Sequence, residues 1–181
     1  MFIQTEITPN PATLKFLPGC AVMPGAGTAN FVNAAEAGRS PLATRLFGLD
    51  GVAGVFLGTD FVTVTKQGAK DWEAMKPQIL GALMDHFASG KPAVEGAAAD
   101  AAASDDPIVA QIKELLNTRV RPAVAQDGGD IIFRRFENGV VYLHMQGSCS
   151  GCPSSTATLK HGIENMLRHY IPEVSEVRAA E

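Results

Sequence analysis

The chain is poor in several things that would each announce a function. It has three cysteines in 181 residues, too few for a disulfide scaffold. It has four histidines, one tryptophan and two tyrosines. It has no excess of basic charge: 15 Lys and Arg stand against 19 Asp and Glu, a net charge of −4. The acidity lies mainly in the middle, and neither end is basic. Residues 1–90 carry six bases and seven acids, 91–106 one base and four acids, and 107–181 eight of each. No Arg/Lys stripe marks a nucleic-acid footprint, so no nucleic-acid partner is expected. No apolar run approaches the roughly 20 residues that cross a bilayer, and no membrane association is expected. The first residues, Met1 to Glu6, read as a strand, without a basic n-region, an apolar h-region or an Arg-rich transit pattern. On that reading the protein is expected to be cytoplasmic and bacterial in type.

Hydrophobic content of 46% with 19% charge is that of an ordinary globular protein, and the length suits two small domains. The pattern predicts an α+β fold made of two small α/β-type domains. In residues 1–90, strands are expected at Phe2–Ile7 and Ala12–Leu17, with turn signals at Pro9-Asn10-Pro11, Pro18-Gly19 and Pro24-Gly25-Ala26-Gly27. Ser40 caps a short helix that has Pro41 at its first position. Val52–Leu57 and Phe61–Lys66 form a hairpin about Gly58-Thr59-Asp60. Asp71 opens a helix with Trp72, Met75, Ile79, Leu83 and Phe87 on one face, and Pro77 inside that pattern predicts a kink or a later start. Trp72 and His86 are read as core residues. Lys91 to Asp105 is rich in alanine and poor in bulk, and residues 91–105 are read as a tether.

Residues 106–181 read as α-β-β-α-β. Asp106-Pro107 starts a helix with Ile108, Ile112, Leu115, Leu116 and Val120 facing inward, and Pro122 is expected to break or kink it. Asp127-Gly128-Gly129-Asp130 is a turn, its two aspartates capping it rather than acting as a carboxylate pair. Ile131–Phe136 and Val140–Met145 are joined by an Asn138-Gly139 hairpin. A helix follows at Ser154–Tyr170, with Leu159, Ile163, Met166, Leu167 and Tyr170 on one side, and a last strand at Val174–Val177.

Between the second of these strands and the helix lies Gly147-Ser148-Cys149-Ser150-Gly151-Cys152-Pro153. Two cysteines separated by Ser-Gly, at the positive end of a helix, favour the thiolate form. Thiolates bind soft metals and do redox chemistry. Four readings compete. An iron–sulfur site normally wants four cysteine ligands, and this domain offers two. The other two would come from a second copy, placing the cluster at a two-fold interface. A thioredoxin-like dithiol–disulfide oxidoreductase is the alternative function, although no tryptophan precedes Cys149 and little chain follows the helix. Zinc held by Cys149, Cys152, His144 and His161 lacks finger or ribbon spacing. A buried structural pair is at odds with the Gly and Ser neighbours. Cys20, single and distant, reads as a loop or packing cysteine. Lys160 and His161 read as a solvated helix face.

Arg121-Pro122, Asp127-Gly128-Gly129-Asp130 and Gly147 through Ser155 together resemble the C-terminal domain of NifU, the Nfu domain. Phe2 through Glu6, Pro9-Asn10-Pro11, Lys15-Phe16, Ser40 through Ala43 and Phe61 through Lys66 resemble the N-terminal domain of mitochondrial and bacterial Nfu proteins. The resemblance implies an iron–sulfur carrier rather than an enzyme. It implies a [4Fe–4S] cluster shared between two chains, a homodimer when loaded, with Cys149 and Cys152 of each as ligands. An upstream cluster donor and apo iron–sulfur target proteins are its implied partners. It assigns residues 1–90 to partner or target recognition and 106–181 to cluster binding, with 91–105 between them.

Overall fold

The structure is a computed structural model that describes residues 2–23, 27–95, 106–148 and 153–180. Cys149 and Cys152, with Ser150 and Gly151 between them, lie outside the described residues, as do residues 24–26 and 96–105. The chain divides into two compact units, residues 1–99 and 100–181, each with its own apolar core and its own sheet.

The first unit holds β1 (Gln4–Ile7), β2 (Thr13–Leu17), β3 (Ala29–Phe31), α1 (Pro41–Phe47), β4 (Val52–Leu57), β5 (Val62–Lys66) and α2 (Trp72–Ala88). Its strands form one antiparallel sheet in the order β1-β2-β5-β4-β3. The core gathers Leu14, Phe16, Val55, Leu57, Val62 and Val64 from the sheet, Leu42 and Leu46 from α1, and Met75, Ile79 and Leu83 from α2. Ser40 caps α1 as expected, its hydroxyl accepting the Ala43 N–H at 3.0 Å. The β4–β5 hairpin also forms as expected, and its Thr59 carbonyl accepts from the N–H groups of Val22 and Met23. Trp72 packs at the edge of the core and donates its indole N–H to the Pro11 carbonyl at 3.2 Å. His86 is buried, as expected of a core residue.

Two expectations for this unit are revised, and one strand is added. β3 carries no strand signal in the sequence, yet Ala29, Asn30 and Phe31 pair with Leu57, Phe56 and Val55 at the sheet edge. α2 runs unbroken through Pro77. Pro77 is exposed in the second turn, where the lost N–H leaves one unpaired carbonyl near solvent while the apolar face stays anchored. The stretch read as a tether is packed at its start: Ala93 and Val94 are buried in the first core, and the Ala93 carbonyl accepts the Ser40 hydroxyl at 2.5 Å. One medium-sized side chain, Val94, suffices because a cap hydroxyl also holds the backbone beside it.

The second unit holds α3 (Pro107–Leu115), a π-helical turn at Leu116–Val120, α4 (Arg121–Gln126), β6 (Gly129–Glu137), β7 (Val140–Gly147), α5 (Pro153–Tyr170) and β8 (Glu176–Ala179). β6 and β7 are antiparallel, β7 and β8 parallel, with α5 as the crossover. This is the α-β-β-α-β order predicted. Pro122 marks the expected interruption: the α-helix ends at Leu115, widens into the π turn that makes room for the proline ring and its missing donor, and restarts as α4 at Arg121. Asn138 and Gly139 both take positive φ, 50° and 78°, as a tight hairpin turn requires. The core lies on one side of this sheet, where Ile131, Val141, Leu143, Met145 and Val177 meet Ile112, Leu116, Val120, Ile163 and Leu167. Tyr170, expected inside, is half exposed under the Arg119 guanidinium, and Ile171 is buried instead. The last strand begins two residues later than expected, at Glu176.

Candidate functional site

The candidate site is the junction between β7 and α5. Alternation along β7 buries Val141, Leu143 and Met145, so the strand arrives at Gly147 with its register fixed by the core. α5 leaves from Pro153, a residue suited to the first helical position, and is held by Ile163 and Leu167. Cys149 and Cys152 lie between these two shoulders, outside the described residues.

The strand-side shoulder is tied to the Asp127-Gly128-Gly129-Asp130 turn. Gly147 is paired with Gly129 and Gln146 with Asp130. Ser148, only 3% exposed, donates its backbone N–H to the Gly128 carbonyl at 3.3 Å and its hydroxyl to the Asp127 carbonyl. The turn is itself closed onto α4, because Asp127 and Gly128 donate their N–H groups to the carbonyls of Val124 and Ala125. Gly128 has φ +79°, the left-handed conformation that the turn needs.

Asp130 is not a turn cap. It is 3% exposed, and its carboxylate accepts two N–H groups of Arg121, Nε to Oδ1 and Nη2 to Oδ2, each at 2.8 Å. Oδ1 also accepts the Ile131 N–H at 2.8 Å. The Arg121 fork reaches further, to the Asn117 amide oxygen at 3.2 Å. Its hydrogen bonds to Asp130 hold the guanidinium above the ordinary arginine pKa, against the opposing effect of burial. A parallel two-bond pairing of this kind is the strongest geometry available to a carboxylate and a guanidinium. The pair spans nine residues and the turn between helix and strand. Periodicity cannot reveal such a contact; the visible signals were an arginine set directly before Pro122 and an acid at the head of an apolar strand.

The other candidate residues stand apart from the junction. The Nδ1 of His144 is 3.1 Å from the Ala180 carbonyl, and His161 is exposed on α5. Among the described residues no three His, Cys, Asp or Glu side chains cluster to hold a metal ion. Cys20 is a free, exposed loop cysteine of the first unit. Lys160 is half-buried rather than fully solvated. No described helix is long and apolar enough to cross a membrane.

Comparison with known proteins covers both units. The family model for the scaffold protein Nfu/NifU N terminal matches residues 3–90, and that for the NifU-like domain matches residues 112–178. A Drosophila erecta protein named "NFU1 iron-sulfur cluster scaffold homolog, mitochondrial" is 54% identical over 98% of this chain and 64% of its own length. A Drosophila willistoni protein of the same name is 52% identical over 98% of this chain and 63% of its own. The chain therefore spans about 64% of the length of the relatives it matches. The solution structure of a NifU-like protein from Saccharomyces cerevisiae is 29% identical, covers 53% of this chain and 86% of that one, and gives a TM-score of 0.49. The expected cytoplasmic, bacterial-type location is corrected by these names. Relatives identical at more than half of their aligned positions are mitochondrial proteins, and the residues at which this sequence starts carry no weight against them. With its two halves matched by the Nfu N-terminal and NifU-like models, the chain belongs to the Nfu family.

Proposed function

We propose that this protein is an iron–sulfur carrier that holds a [4Fe–4S] cluster between two copies of the chain and hands it to apo-proteins. The observation that carries the reading is the ligand arithmetic at the β7–α5 junction. Each chain offers one pair, Cys149 and Cys152, where a cubane cluster takes four thiolates. A two-fold arrangement of two chains supplies the missing pair. Membership in a family whose relatives are named iron–sulfur cluster scaffolds supports it. So does the sequence setting, in which Cys149 and Cys152 directly precede an 18-residue helix. The mitochondrial names of the relatives support a mitochondrial setting.

The cluster is cargo, not a resident catalyst. Transfer is ligand exchange at iron: an incoming target thiol forms an Fe–S bond as the bond to Cys149 or Cys152 breaks. The incoming thiol's proton goes to the departing cysteine sulfur. Iron and sulfide keep their oxidation states through the step, so no reductant is consumed and no general acid or base is required. The first unit is the part we assign to partner or target recognition. Phe2 and Ile7, 79% and 90% exposed on or beside its edge strand β1, support a surface that meets other proteins.

Anaerobic reconstitution with iron and sulfide, followed by absorption spectroscopy and sedimentation, tests the reading. The expected product is brown, sediments as a dimer and holds about four irons per two chains. Cys149→Ala and Cys152→Ala each abolish it without unfolding either unit. A stable cubane in either single variant, or in a monomer, refutes the shared site. A colourless protein with a reversible Cys149–Cys152 disulfide points instead to the oxidoreductase, and one tightly held zinc per chain to a zinc module.

A further inference from the structure

The pinning of Ser148 extends the site well beyond the cysteines. We propose that Arg121, Asp130 and Ser148 are positioning residues for the cysteine pair, and that the Arg121–Asp130 ion pair sets how firmly the cargo is held although it lies 19 residues or more before Cys149 in sequence. This rests on the carrier reading above.

A cysteine pair that shares a cluster with a second copy must present both sulfurs at a fixed spacing, because the partner pair is fixed in turn. Metal ligands are generally oriented by the groups behind them. Here that support comes from one closed unit. Residues 121–130 run from the start of α4 through the turn to the start of β6, and the Arg121–Asp130 pair locks the two ends together with two 2.8 Å hydrogen bonds. Ser148 is bonded to the middle of that unit at two points, through its N–H to Gly128 and its hydroxyl to Asp127. The residue directly before Cys149 is thus fastened to a clamp, not merely to the next strand. The hydroxyl does something a backbone pair does not. It takes up a turn carbonyl with a buried side chain, and so fixes the rotation of the chain just as it leaves the sheet. Loosening the clamp at Asp130 therefore loosens Ser148, while the packing of Leu143, Met145, Ile163 and Leu167 behind the junction stays in place.

The test uses the full chain with Ser148→Ala, which removes the hydroxyl alone, and Asp130→Asn, which keeps the shape and loses the bidentate pairing. In the apo-protein, amide hydrogen exchange at position 148 is expected to quicken about fivefold in each, the equivalent of one hydrogen bond. Exchange at Leu143 in the middle of β7 changes by no more than the loss of global stability in each variant. In the reconstituted protein, iron content per chain is expected to match wild type, while loss of the cluster to a chelator speeds about tenfold or more. The visible circular dichroism of the cluster changes shape. Unchanged exchange at position 148 in both variants overturns the anchor. Faster exchange with wild-type release and wild-type dichroism overturns the positioning role. If wild-type protein takes up no iron and sulfide, the carrier reading falls and the positioning role with it, and the exchange measurement still reports separately whether the anchor exists.

Discussion

Replacing Arg121 by alanine should destabilise the second unit far more than replacing its partner. The asymmetry follows from where each charge sits. The Asp130 side chain is 4% exposed and that of Arg121 is 31% exposed. Arg121→Ala removes both guanidinium bonds from a carboxylate inside the protein, whose Oδ1 keeps the Ile131 N–H. Breaking a buried pair from the side that strands the buried charge costs about 3–5 kcal/mol. Water reaches the space the guanidinium leaves, since that side chain is a third exposed, so the lower end applies, about 3 kcal/mol. Asp130→Asn strands a guanidinium that can turn toward solvent and keeps an amide oxygen for one bond. Its cost is nearer 1–2 kcal/mol. Replacing both, as Arg121→Met with Asp130→Leu, removes the stranded charge and should recover most of the loss.

The aromatic residues make the measurement clean. The one tryptophan, Trp72, is in the first unit, and both tyrosines, Tyr142 and Tyr170, are in the second. Urea unfolding followed by Trp72 fluorescence and by the tyrosine ring NMR signals therefore reads the two units separately. Arg121→Ala should lower the tyrosine transition and leave the tryptophan transition in place. At about 4–8 °C per kcal/mol for a unit of this size, the corresponding thermal shift is roughly 12–24 °C. Equal costs for Arg121→Ala and Asp130→Asn would refute the burial asymmetry, and a matching shift of the Trp72 transition would refute the assignment of the pair to the second unit alone.

Three further outcomes concern the first unit. Burial and the positive charge of Arg45 lower the pKa of His86 below the ordinary histidine value of 6.5. The unfolded chain therefore takes up that proton first, and stability that is full above pH 6.5 is lost as the pH falls below it toward the lowered value. The Trp72 transition should weaken as the pH falls through 6.5 toward the lowered value, and His86→Leu should flatten that slope. Gly58→Ala would bring a Cβ to 2.3 Å from the Phe61 ring, which is buried against Phe56 and Lys15, so about 1–3 kcal/mol of overpacking is expected in the same transition. Ser40→Ala removes both the α1 cap and the donor to Ala93, at about 2 kcal/mol, and should quicken cleavage after Glu95 by a glutamate-specific protease.

What was legible in the sequence follows the range of the signal. The faces of α2 and α5 and the β4–β5 and β6–β7 hairpins are written in spacings of two to four residues, and they formed largely where the pattern put them. β3 was hidden because three residues cannot show a period; Ala29-Asn30-Phe31 becomes a strand only because β4 offers an unpaired edge. Pro77 was over-read: it was judged as a breaker in isolation, whereas it sits near a helix start. Val94 looked too little to fix a tether, and it would be without the Ser40 hydroxyl 53 residues away. The Arg121–Asp130 pair failed to show for the same reason: which acid meets which base across a turn is decided by the packing of helix on strand. The cysteine pair is a reading of chemistry from thiolate spacing and ligand number, and it lies outside the described residues. The ties of Ser148 to the Asp127-Gly128 turn were not legible, because they are properties of the fold.

That division has a consequence for how a carrier of this kind can work. A cluster must be released without unfolding the protein that brings it, so the free energy that holds the fold and the free energy that holds the cargo need separate sources. Here the fold of the second unit rests on a one-sided core in which Leu143, Met145, Ile163 and Leu167 fix the two shoulders of the junction. The cysteines lie in sequence on the short connection between those shoulders, and the described core is built from other residues. On the proposed carrier reading, losing a thiolate–iron bond at Cys149 or Cys152 then leaves those described core contacts in place, and the apo-protein keeps its shoulders in register for the next cluster. Substitutions in the core should lower the melting temperature of apo and loaded protein together, whereas substitutions at Ser148 or Asp130 should change cluster release out of proportion to stability.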